Sequence, residues 1–231
     1  MNIFISGANR GLGLALSAVF VKNGHKTYAG VFKDQPYAEL EALASKYSSL
    51  VIVDLDVTST ASVENAAQLI AGDCGMLDAV ISNAGILCGS DRTVPLTGAD
   101  MDDFELSAQI NILGAARIIK SFHNIVKDSG FFITITSEAG SVTNNGTVYP
   151  VYSVTKAAEN KLVAVFRATK PNSYKIYAMH PGRMNTEMGR EYAQIEPGES
   201  AESIFEILTG KKNISARADW FINYKGEPMT I

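Results

Sequence analysis

The sequence Ser6-Gly7-Ala8-Asn9-Arg10-Gly11-Leu12-Gly13 joins an apolar run to an amphipathic segment near the start of the chain. A strand, a glycine-rich turn and a helix in this order are typical of the first unit of a doubly wound α/β fold. Gly7 suits a tight turn, Gly11 allows a phosphate to approach the backbone, and Gly13 allows close packing of helix against strand. The free N–H groups of the helix N-terminus favour a pyrophosphate. The plainer interpretation is an ordinary βα turn that contains three glycines.

Short apolar runs alternate with longer amphipathic segments along the rest of the chain. The runs are mostly apolar throughout, which is typical of strands buried on both faces of a parallel sheet. The predicted strands are residues 2–6, 26–32, 50–55, 78–82, 130–136, 174–180 and 219–223. The predicted helices are residues 12–23, 37–47, 61–71, 100–127, 152–170 and 201–208. This alternation predicts a doubly wound α/β Rossmann fold, with a seven-stranded parallel sheet and helices on both faces.

The length and composition fit one domain over residues 1–231. The chain is 46% hydrophobic, and no repeat or linker rich in Pro, Gly and Ser indicates a second domain. Residues 85–99 and 182–199 are predicted to be loops that follow the fourth and sixth strands. Ligands of such sheets bind beyond the carboxyl ends of the strands, so these loops are candidate walls of a site.

Composition argues against several kinds of partner. The formal net charge is −4 and no basic stripe is present, which disfavours nucleic acid. No stretch approaches the roughly 20 apolar residues that span a bilayer, and no signal-peptide pattern precedes the first strand. Cys74 and Cys88 are expected to be free thiols of a reducing compartment. We therefore expect a cytoplasmic protein without a membrane partner. His25, His123 and His180 form no evident cluster, so no metal site is predicted.

The end of the second predicted strand bears on which dinucleotide binds. NAD-specific proteins place an acidic residue there for the ribose hydroxyls, and in this chain that position falls at Val31. Lys33 follows shortly and Arg10 projects from the glycine turn, so two cations favour a 2′-phosphate and hence NADP(H). Asp34 is the counter-argument, because a one-residue slip of the loop would bring it nearer the ribose. NAD(H) is the alternative cofactor, and a solvated loop lysine is the plain interpretation of Lys33.

Further motifs follow the glycine turn in a fixed order. They are Asp56-Val57 after the third predicted strand, Ser82-Asn83-Ala84-Gly85 at the end of the fourth, Asn111-Ile112-Leu113-Gly114 in the long fourth helix, Ser137 at the end of the fifth strand, Tyr152 and Lys156 at the start of the next helix, and Pro181-Gly182 with Thr186 after the sixth strand. Over essentially its whole length the chain resembles the short-chain dehydrogenase/reductase superfamily. The opening glycine turn and the closing residues 221–228 resemble its small carbonyl-reductase branch, which includes sniffer-type and C-factor-type proteins.

The resemblance implies an oxidoreductase that transfers a hydride between NADPH and a carbonyl or alcohol substrate. Tyr152 would act as the general acid and base, although a free phenol has a pKa of about 10. Lys156 lies four residues on, on the same helical face, where its ammonium favours the phenolate. The resemblance implies that Lys156 also holds the nicotinamide ribose and that Asn111 holds a water that links it to solvent. Ser137 would donate a hydrogen bond to the substrate oxygen.

The remaining site residues are predicted partly from their positions in the chain and partly from the resemblance. The expected cofactor contacts are Gly7, Asn9, Arg10, Gly11, Leu12, Gly13, Lys33, Asp56, Val57, Asn83, Ala84, Gly85, Tyr152, Lys156, Pro181, Gly182, Met184 and Thr186. Glu138, Tyr149 and Met188 are candidate substrate contacts. Residues 106–119 and 157–168 are apolar enough to pair in a homodimer or homotetramer, as the family often does, and a monomer that uses these faces for its core is the alternative.

Two other functions stay open at this point. A sensor or signalling protein of the same fold would bind the dinucleotide as a ligand and not as a reactant, but a pure sensor need not keep Asn111, Ser137, Tyr152 and Lys156. A nucleotide-sugar epimerase or dehydratase is disfavoured, because such relatives carry a larger C-terminal substrate region and only about 45 residues follow Thr186.

Overall fold

A seven-stranded parallel sheet forms the centre of the molecule. The computed structural model describes residues 1–143, 148–169 and 174–231. The strands are β1 (Asn2–Ser6), β2 (Lys26–Val31), β3 (Leu50–Asp54), β4 (Leu77–Ser82), β5 (Val126–Ile135), β6 (Lys175–His180) and β7 (Phe221–Asn223). They lie in the order β3-β2-β1-β4-β5-β6-β7, which is the doubly wound arrangement. The predicted fold class is therefore confirmed.

Helices cover both faces of this sheet. They are α1 (Gly11–Lys22), α2 (Ala38–Ala44), α3 (Thr60–Cys74), α4 (Met101–Ser107), α5 (Ala115–Phe122), α6 (Pro150–Thr169) and α7 (Pro197–Leu208). One core lies between the sheet and α1 and α7, and includes Phe20 and Phe205. The other core lies between the sheet and α3, α5 and α6. No helix among the described residues is long and apolar enough to cross a membrane.

The strands are apolar on both sides because both sides are covered. Ile3 and Ile5 of β1 belong to the first core, whereas Phe4 between them belongs to the second. Phe4 stacks on Phe122 of α5 with ring centroids 4.1 Å apart. Burial of each such side chain contributes about 1.5–3 kcal/mol, so the run of apolar residues that predicted a two-sided strand also stabilises the fold.

The predicted helix over residues 100–127 is wrong in two respects. It is interrupted by a π-helical segment, Ala108–Gly114, and it ends at Phe122. Strand β5 then begins at Val126, four residues before its predicted start at Gly130. Val126 pairs with Leu77, and the ammonium of Lys127 lies 2.7 Å from Asp78, which anchors this polar strand start to β4. A polar strand start gives no apolar pattern to detect.

Other element ends differ from the predictions by a few residues. Helix α7 begins at Pro197, a favourable residue for a first helical turn, and so takes the last part of the predicted loop 182–199. The predicted loop 85–99 contains two short 3₁₀ turns, Ser90–Arg92 and Leu96–Gly98. Helix α6 begins at Pro150, and Lys170, its predicted last residue, lies outside the described residues.

Candidate active site

The glycine turn and the end of β4 are joined by four partly buried hydrogen bonds. The Ser6 hydroxyl accepts the backbone N–H groups of Asn83 (2.9 Å) and Ala84 (3.1 Å). The Asn83 side-chain amide donates to the carbonyls of Ser6 (2.9 Å) and Gly7 (3.1 Å). Gly7 has φ of +67°, and a Cβ there would lie 2.8 Å from the Ala84 Cα. The two predicted motifs thus form one rigid surface at the carboxyl end of the sheet.

The N-terminus of α1 is open to a ligand. Its capping residue, Arg10, makes no side-chain hydrogen bond to the first turn, so the turn's N–H groups have no side-chain cap. A Cβ on Gly13 would collide with the carbonyl oxygen of Gly7, so only glycine permits this approach of helix to turn. Leu12 is buried in the core. An uncapped helix start behind a glycine turn fits the pyrophosphate of a dinucleotide.

The end of β2 carries no carboxylate. Val31 is its last residue and is buried. The ammonium of Lys33 lies 3.0 Å from Asp54, the residue paired with Val31 across the sheet, and both side chains are more than half exposed. Asp54, which sequence reasoning missed, is thus the carboxylate that contacts Lys33. The Asn9 side-chain amide donates to the Phe32 carbonyl at 3.2 Å and ties the glycine turn to this region.

Asp56 and Val57 follow β3 at the same edge of the sheet. The Asp56 carboxylate accepts the backbone N–H (2.8 Å) and the hydroxyl (2.7 Å) of Thr58, which shapes the entry to α3. Val57 is buried, and a Cβ on Gly114 would lie 3.0 Å from its side chain. Asp56 therefore shapes the turn before α3, and Val57 packs against the π-helical segment.

Asn111 lies in the middle of the π-helical segment and is fully buried. Its carbonyl oxygen accepts the Ile86 N–H at 2.8 Å, and its amide donates to the Ile86 carbonyl and the Thr155 hydroxyl, each at 3.0 Å. A π-helical turn is rare and often marks a functional site. The π-helical turn places the Asn111 side chain between the end of β4 and helix α6.

Helix α6 carries Tyr152 and Lys156. The Lys156 ammonium lies 5.7 Å from the centre of the Tyr152 ring and donates to the Ile135 carbonyl at 3.0 Å. A Cβ on Gly85 would lie 3.4 Å from the Lys156 Nζ and 3.3 Å from the Asn111 Oδ1. The lysine and the asparagine therefore flank the same glycine.

Ser137 follows β5 and caps a 3₁₀ turn, Glu138–Gly140. Its hydroxyl oxygen accepts the Ala139 N–H at 3.1 Å, which leaves the hydroxyl hydrogen available for donation. A Cβ on Gly140 would lie 2.5 Å from the Lys156 backbone carbon, so this turn packs directly on α6. The packing holds the turn that follows Ser137 against the backbone of Lys156.

Asp91 holds the start of α6 and was not found by sequence reasoning. Its buried carboxylate accepts the N–H groups of Val151 and Tyr152, each at 2.9 Å. Negative charge at a helix N-terminus is favourable. A capping residue usually directly precedes its helix, so a cap supplied from a distant loop leaves no local sequence signal.

Residues after β6 lie over the glycine turn. A Cβ on Gly11 would contact the Thr186 methyl at 3.4 Å, and Gly182 has φ of +87°. The carboxylate of Glu187 pairs with the Arg10 guanidinium at 2.9 Å. Residues 182–196 are here named the lid segment. A β-bridge between Met184 and Ile195 joins the two ends of this segment. Pro181 is buried at the end of β6.

Comparison with known proteins identifies the family. A family model described as short chain dehydrogenase matches residues 1–196. The chain belongs to the short-chain dehydrogenase family. An uncharacterized oxidoreductase of Schizosaccharomyces pombe is 30% identical over 219 residues, which cover 92% of this chain and 83% of that protein.

Solved structures agree with the fold. The NADPH-bound carbonyl reductase from chicken fatty liver has a TM-score of 0.84 and 25% identity, and the match covers 100% of this chain and 94% of that one. The carbonyl reductase Sniffer of Drosophila melanogaster has a TM-score of 0.88 over 100% of this chain and 99% of its own, at 22% identity. The predicted superfamily is therefore confirmed, and this short-chain dehydrogenase is an oxidoreductase.

The three predicted substrate contacts of this short-chain dehydrogenase lie in two charged clusters. Glu138 accepts from the Arg183 guanidinium at 2.5 Å, and its N–H donates to the His180 ring at 3.2 Å. Burial acts to raise the pKa of Glu138, but Arg183 and His180 hold that pKa below its usual range. The Glu138 carboxylate, next to Ser137 in the chain, is thus already paired with the Arg183 guanidinium.

Tyr149 and Met188 meet at Arg92, a residue that sequence reasoning missed. The Arg92 guanidinium donates to the Met188 carbonyl at 2.6 Å and lies 5.5 Å from the centre of the Tyr149 ring. The Tyr149 hydroxyl donates to Glu191 at 3.0 Å. Tyr149 has φ of +57°, a conformation that costs a non-glycine residue roughly 1–2 kcal/mol. Residue 92 therefore joins the loop after β4 to the lid segment.

Proposed function

We propose that this chain is an NADP(H)-dependent reductase of small carbonyl compounds, which also oxidises the corresponding alcohols. The observation that carries the proposal is the position of Lys156, which donates to the Ile135 carbonyl at the end of β5 and lies 5.7 Å from the centre of the Tyr152 ring. Asn111 flanks Gly85 together with Lys156, and Ser137 follows the end of β5. Such a site serves proton transfer to an oxygen, and the fold supplies a dinucleotide site beside it.

The predicted preference for NADP(H) agrees with the NADPH-bound relative. The residues of this chain fit that cofactor, because α1 begins uncapped behind a glycine turn and no carboxylate ends β2. Arg10 and Lys33 would meet the 2′-phosphate, with Asn9 holding the turn between them. The glycine turn, Asn83 to Gly85 and Thr186 would line the rest of the dinucleotide, and Asp56 with Val57 the adenine end.

The reaction needs a hydride on carbon, which the nicotinamide supplies when bound. Tyr152 holds the proton that goes to the substrate oxygen, and Ser137 donates a hydrogen bond to the same oxygen as negative charge develops there. Lys156 keeps a positive charge beside the phenol. Asn111 is held rigidly through Ile86 and Thr155, and it flanks Gly85 with Lys156, where a water would link the lysine to solvent.

The first prediction tests this role of Tyr152. Purified protein should oxidise NADPH in the presence of an aldehyde, ketone or quinone panel, followed by absorbance. Tyr152→Phe should lower kcat by at least about 100-fold, because general acid catalysis typically contributes that much. Tyr47→Phe is the matched control, since Tyr47 lies after α2 and has no assigned role in the site.

NADPH binding separates the enzyme from the sensor interpretation. Fluorescence titration should show that Tyr152→Phe still binds NADPH. Turnover retained by this variant would refute the mechanism. NADPH binding by the unaltered chain with no turnover of any carbonyl would favour a sensor of the same fold.

We further propose a single catalytic domain over residues 1–231 that assembles as a homodimer or homotetramer in the cytoplasm. Leu106, Leu113, Val154 and Val165 expose large apolar side chains along α4, the π-helical segment and α6, which supports pairing of these helices. Cys74 and Cys88 are free thiols, as expected in a reducing compartment. Light scattering that gives a monomer mass would contradict the assembly.

A further inference from the structure

Lys156 forms a buried ion pair with Glu159, one helical turn further along α6. The Nζ and Oε2 atoms lie 2.6 Å apart, and the two side chains are 4% and 1% exposed. Every other ion pair among the described residues has a more exposed member. A glutamate within a helix usually indicates a surface position, so the sequence alone did not single out Glu159.

The ion pair determines how many hydrogen-bond donors Lys156 has left. An ammonium carries three donors. One goes to the Ile135 carbonyl and one to the Glu159 carboxylate. The third has no hydrogen-bond partner among the described residues, and the Nζ lies beside Gly85 and 5.7 Å from the centre of the Tyr152 ring. Because Ile135 and Glu159 hold two of the donors, the third is left to point towards Gly85 and Tyr152.

Burial and the ion pair act on Lys156 in opposite directions. Burial alone would lower the pKa of Lys156, but the Glu159 carboxylate and Tyr152 raise that pKa above its ordinary value. Burial raises the pKa of Glu159 to about 7, although the adjacent ammonium lowers it. Above neutral pH the carboxylate is therefore ionised and keeps the lysine charged.

Other ionisable groups near α6 have partners elsewhere or lie on the outer surface. The charged or titratable residues on the elements packed against α6 are Asp91, Arg92, Asp102, Asp103, Glu105, Arg117, Lys120, Glu138, Lys175, Tyr177 and His180. Besides burial, the groups that act on the pKa of Lys156 are Glu159 and Tyr152, both on α6. The charge state of Lys156 in the described structure thus depends on its own helix.

Stability is a weak explanation for this pair. Replacing a buried ion pair with apolar residues is often neutral or stabilising, because both charges lose their hydration. One oxygen of Glu159, Oε1, is also buried without a hydrogen-bond partner among the described residues, which adds to the cost. A costly carboxylate in contact with the catalytic lysine points to a role in the reaction.

We propose that Glu159 is a positioning residue that fixes the Lys156 ammonium beside Tyr152 and keeps it charged into the alkaline range. The inference rests on the proposed function, since it concerns the same proton donor. Glu159 acts through Lys156 and does not contact substrate.

The test is the pH profile of kcat/KM for NADPH-dependent carbonyl reduction in Glu159→Gln. Glutamine keeps the shape and one hydrogen-bond acceptor but removes the charge. The alkaline fall in activity should move to lower pH by about one unit or more, a typical effect of one nearby charge. The direction is the same whether the tyrosine or the lysine loses its proton first, because loss of a negative neighbour weakens proton binding by the pair as a whole.

Asn160→Ser is the matched control. Asn160 is the next residue, is buried, and donates to the Gly140 carbonyl at 3.2 Å without contacting the Lys156 ammonium. The alkaline fall in kcat/KM of Asn160→Ser should occur at the same pH as in the unaltered protein. An unchanged profile in Glu159→Gln, or an equal shift in both variants, would overturn the proposal.

A measurement on the unaltered protein covers the case in which Glu159→Gln does not fold. Lysine labelled with ¹³C at Cε reports its own protonation by NMR, and Lys156→Met identifies the signal. The Lys156 signal should show no deprotonation below pH 10, and deprotonation below pH 9 would overturn the proposal. This titration needs no turnover, so absence of reductase activity would count against the proposed function alone.

Discussion

At the carboxyl end of the sheet, here named the sheet side, polar side chains are buried or half-buried and form hydrogen bonds with backbone groups. Ser6 and Asn83 bind the glycine turn to β4, and Asn111 binds Ile86. In the solvent-exposed part of the site, here named the exposed side, Arg10 and Lys33 meet Glu187 and Asp54 in pairs whose side chains are all more than half exposed. Buried hydrogen bonds are costly to break, whereas exposed ion pairs contribute about 0–1 kcal/mol. The sheet side therefore fixes geometry, and the exposed side adjusts affinity.

The largest effect is expected from Gly7→Ala on the sheet side. The new methyl would meet the Ala84 Cα at 2.8 Å in a backbone conformation with φ of +67°. Strain and displacement together should lower the free energy of unfolding by about 3 kcal/mol. NADPH affinity should fall by at least about 100-fold, because the turn moves away from the phosphates. Urea unfolding and fluorescence titration measure the two effects.

Gly24→Ala separates backbone strain from the collision. Gly24 has φ of +77°, but no atom lies within 4 Å of the position its Cβ would occupy. This variant should lose only about 1 kcal/mol and bind NADPH normally. Equal losses in the two variants would show that the contact with Ala84 does not hold the turn.

This contrast also explains how much the sequence could predict. The glycine turn and the Tyr152–Lys156 spacing are local patterns, and they correctly predicted the fold and placed the pair on one helix. Asp91 and Glu159 depend on packing, because their burial and their partners arise only when the loop and α6 meet the sheet. The polar start of β5 depended in the same way on pairing with β4. Residues whose burial or partners depend on segments that are distant in sequence were therefore missed.

The exposed side should determine the choice between NADPH and NADH. In Lys33→Glu a carboxylate would stand beside Asp54 and repel a 2′-phosphate. The ratio of kcat/KM for NADPH to that for NADH should fall roughly tenfold, as expected for one charge-assisted contact. Parallel assays with the two cofactors measure it.

Lys46→Glu is the control for net charge. Lys46 is an exposed lysine beyond the end of α2 and has no ion pair among the described contacts. The same change of charge there should leave the cofactor ratio unaltered. Equal ratios for both variants would mean that Lys33 does not meet the 2′-phosphate, and NAD(H) would regain its place as the alternative.

The smallest effect is expected from Glu187→Gln in the lid segment. Glu187 and a 2′-phosphate would compete for the same Arg10 guanidinium, whose pair with Glu187 is 67% and 64% exposed on its two sides. Removing the carboxylate should lower the KM for NADPH about two- to threefold, in keeping with a weak surface pair. The KM for NADH should stay unchanged, because that cofactor brings no 2′-phosphate to Arg10.

Added salt and a second variant test whether Glu187 competes with the 2′-phosphate for Arg10. Glu196→Gln removes a carboxylate from the same part of the chain, where it accepts from Asn185 at 2.9 Å and does not pair with Arg10. Its KM for NADPH should match the unaltered protein, and the gain in Glu187→Gln should vanish near 1 M salt, where charges are screened within about 3 Å. A rise in KM in Glu187→Gln would instead show that the ion pair helps to hold the lid segment over bound cofactor. The exposed side would then contribute geometry as well as affinity. The contrast between a sheet side that fixes geometry and an exposed side that adjusts affinity would therefore not hold at Arg10.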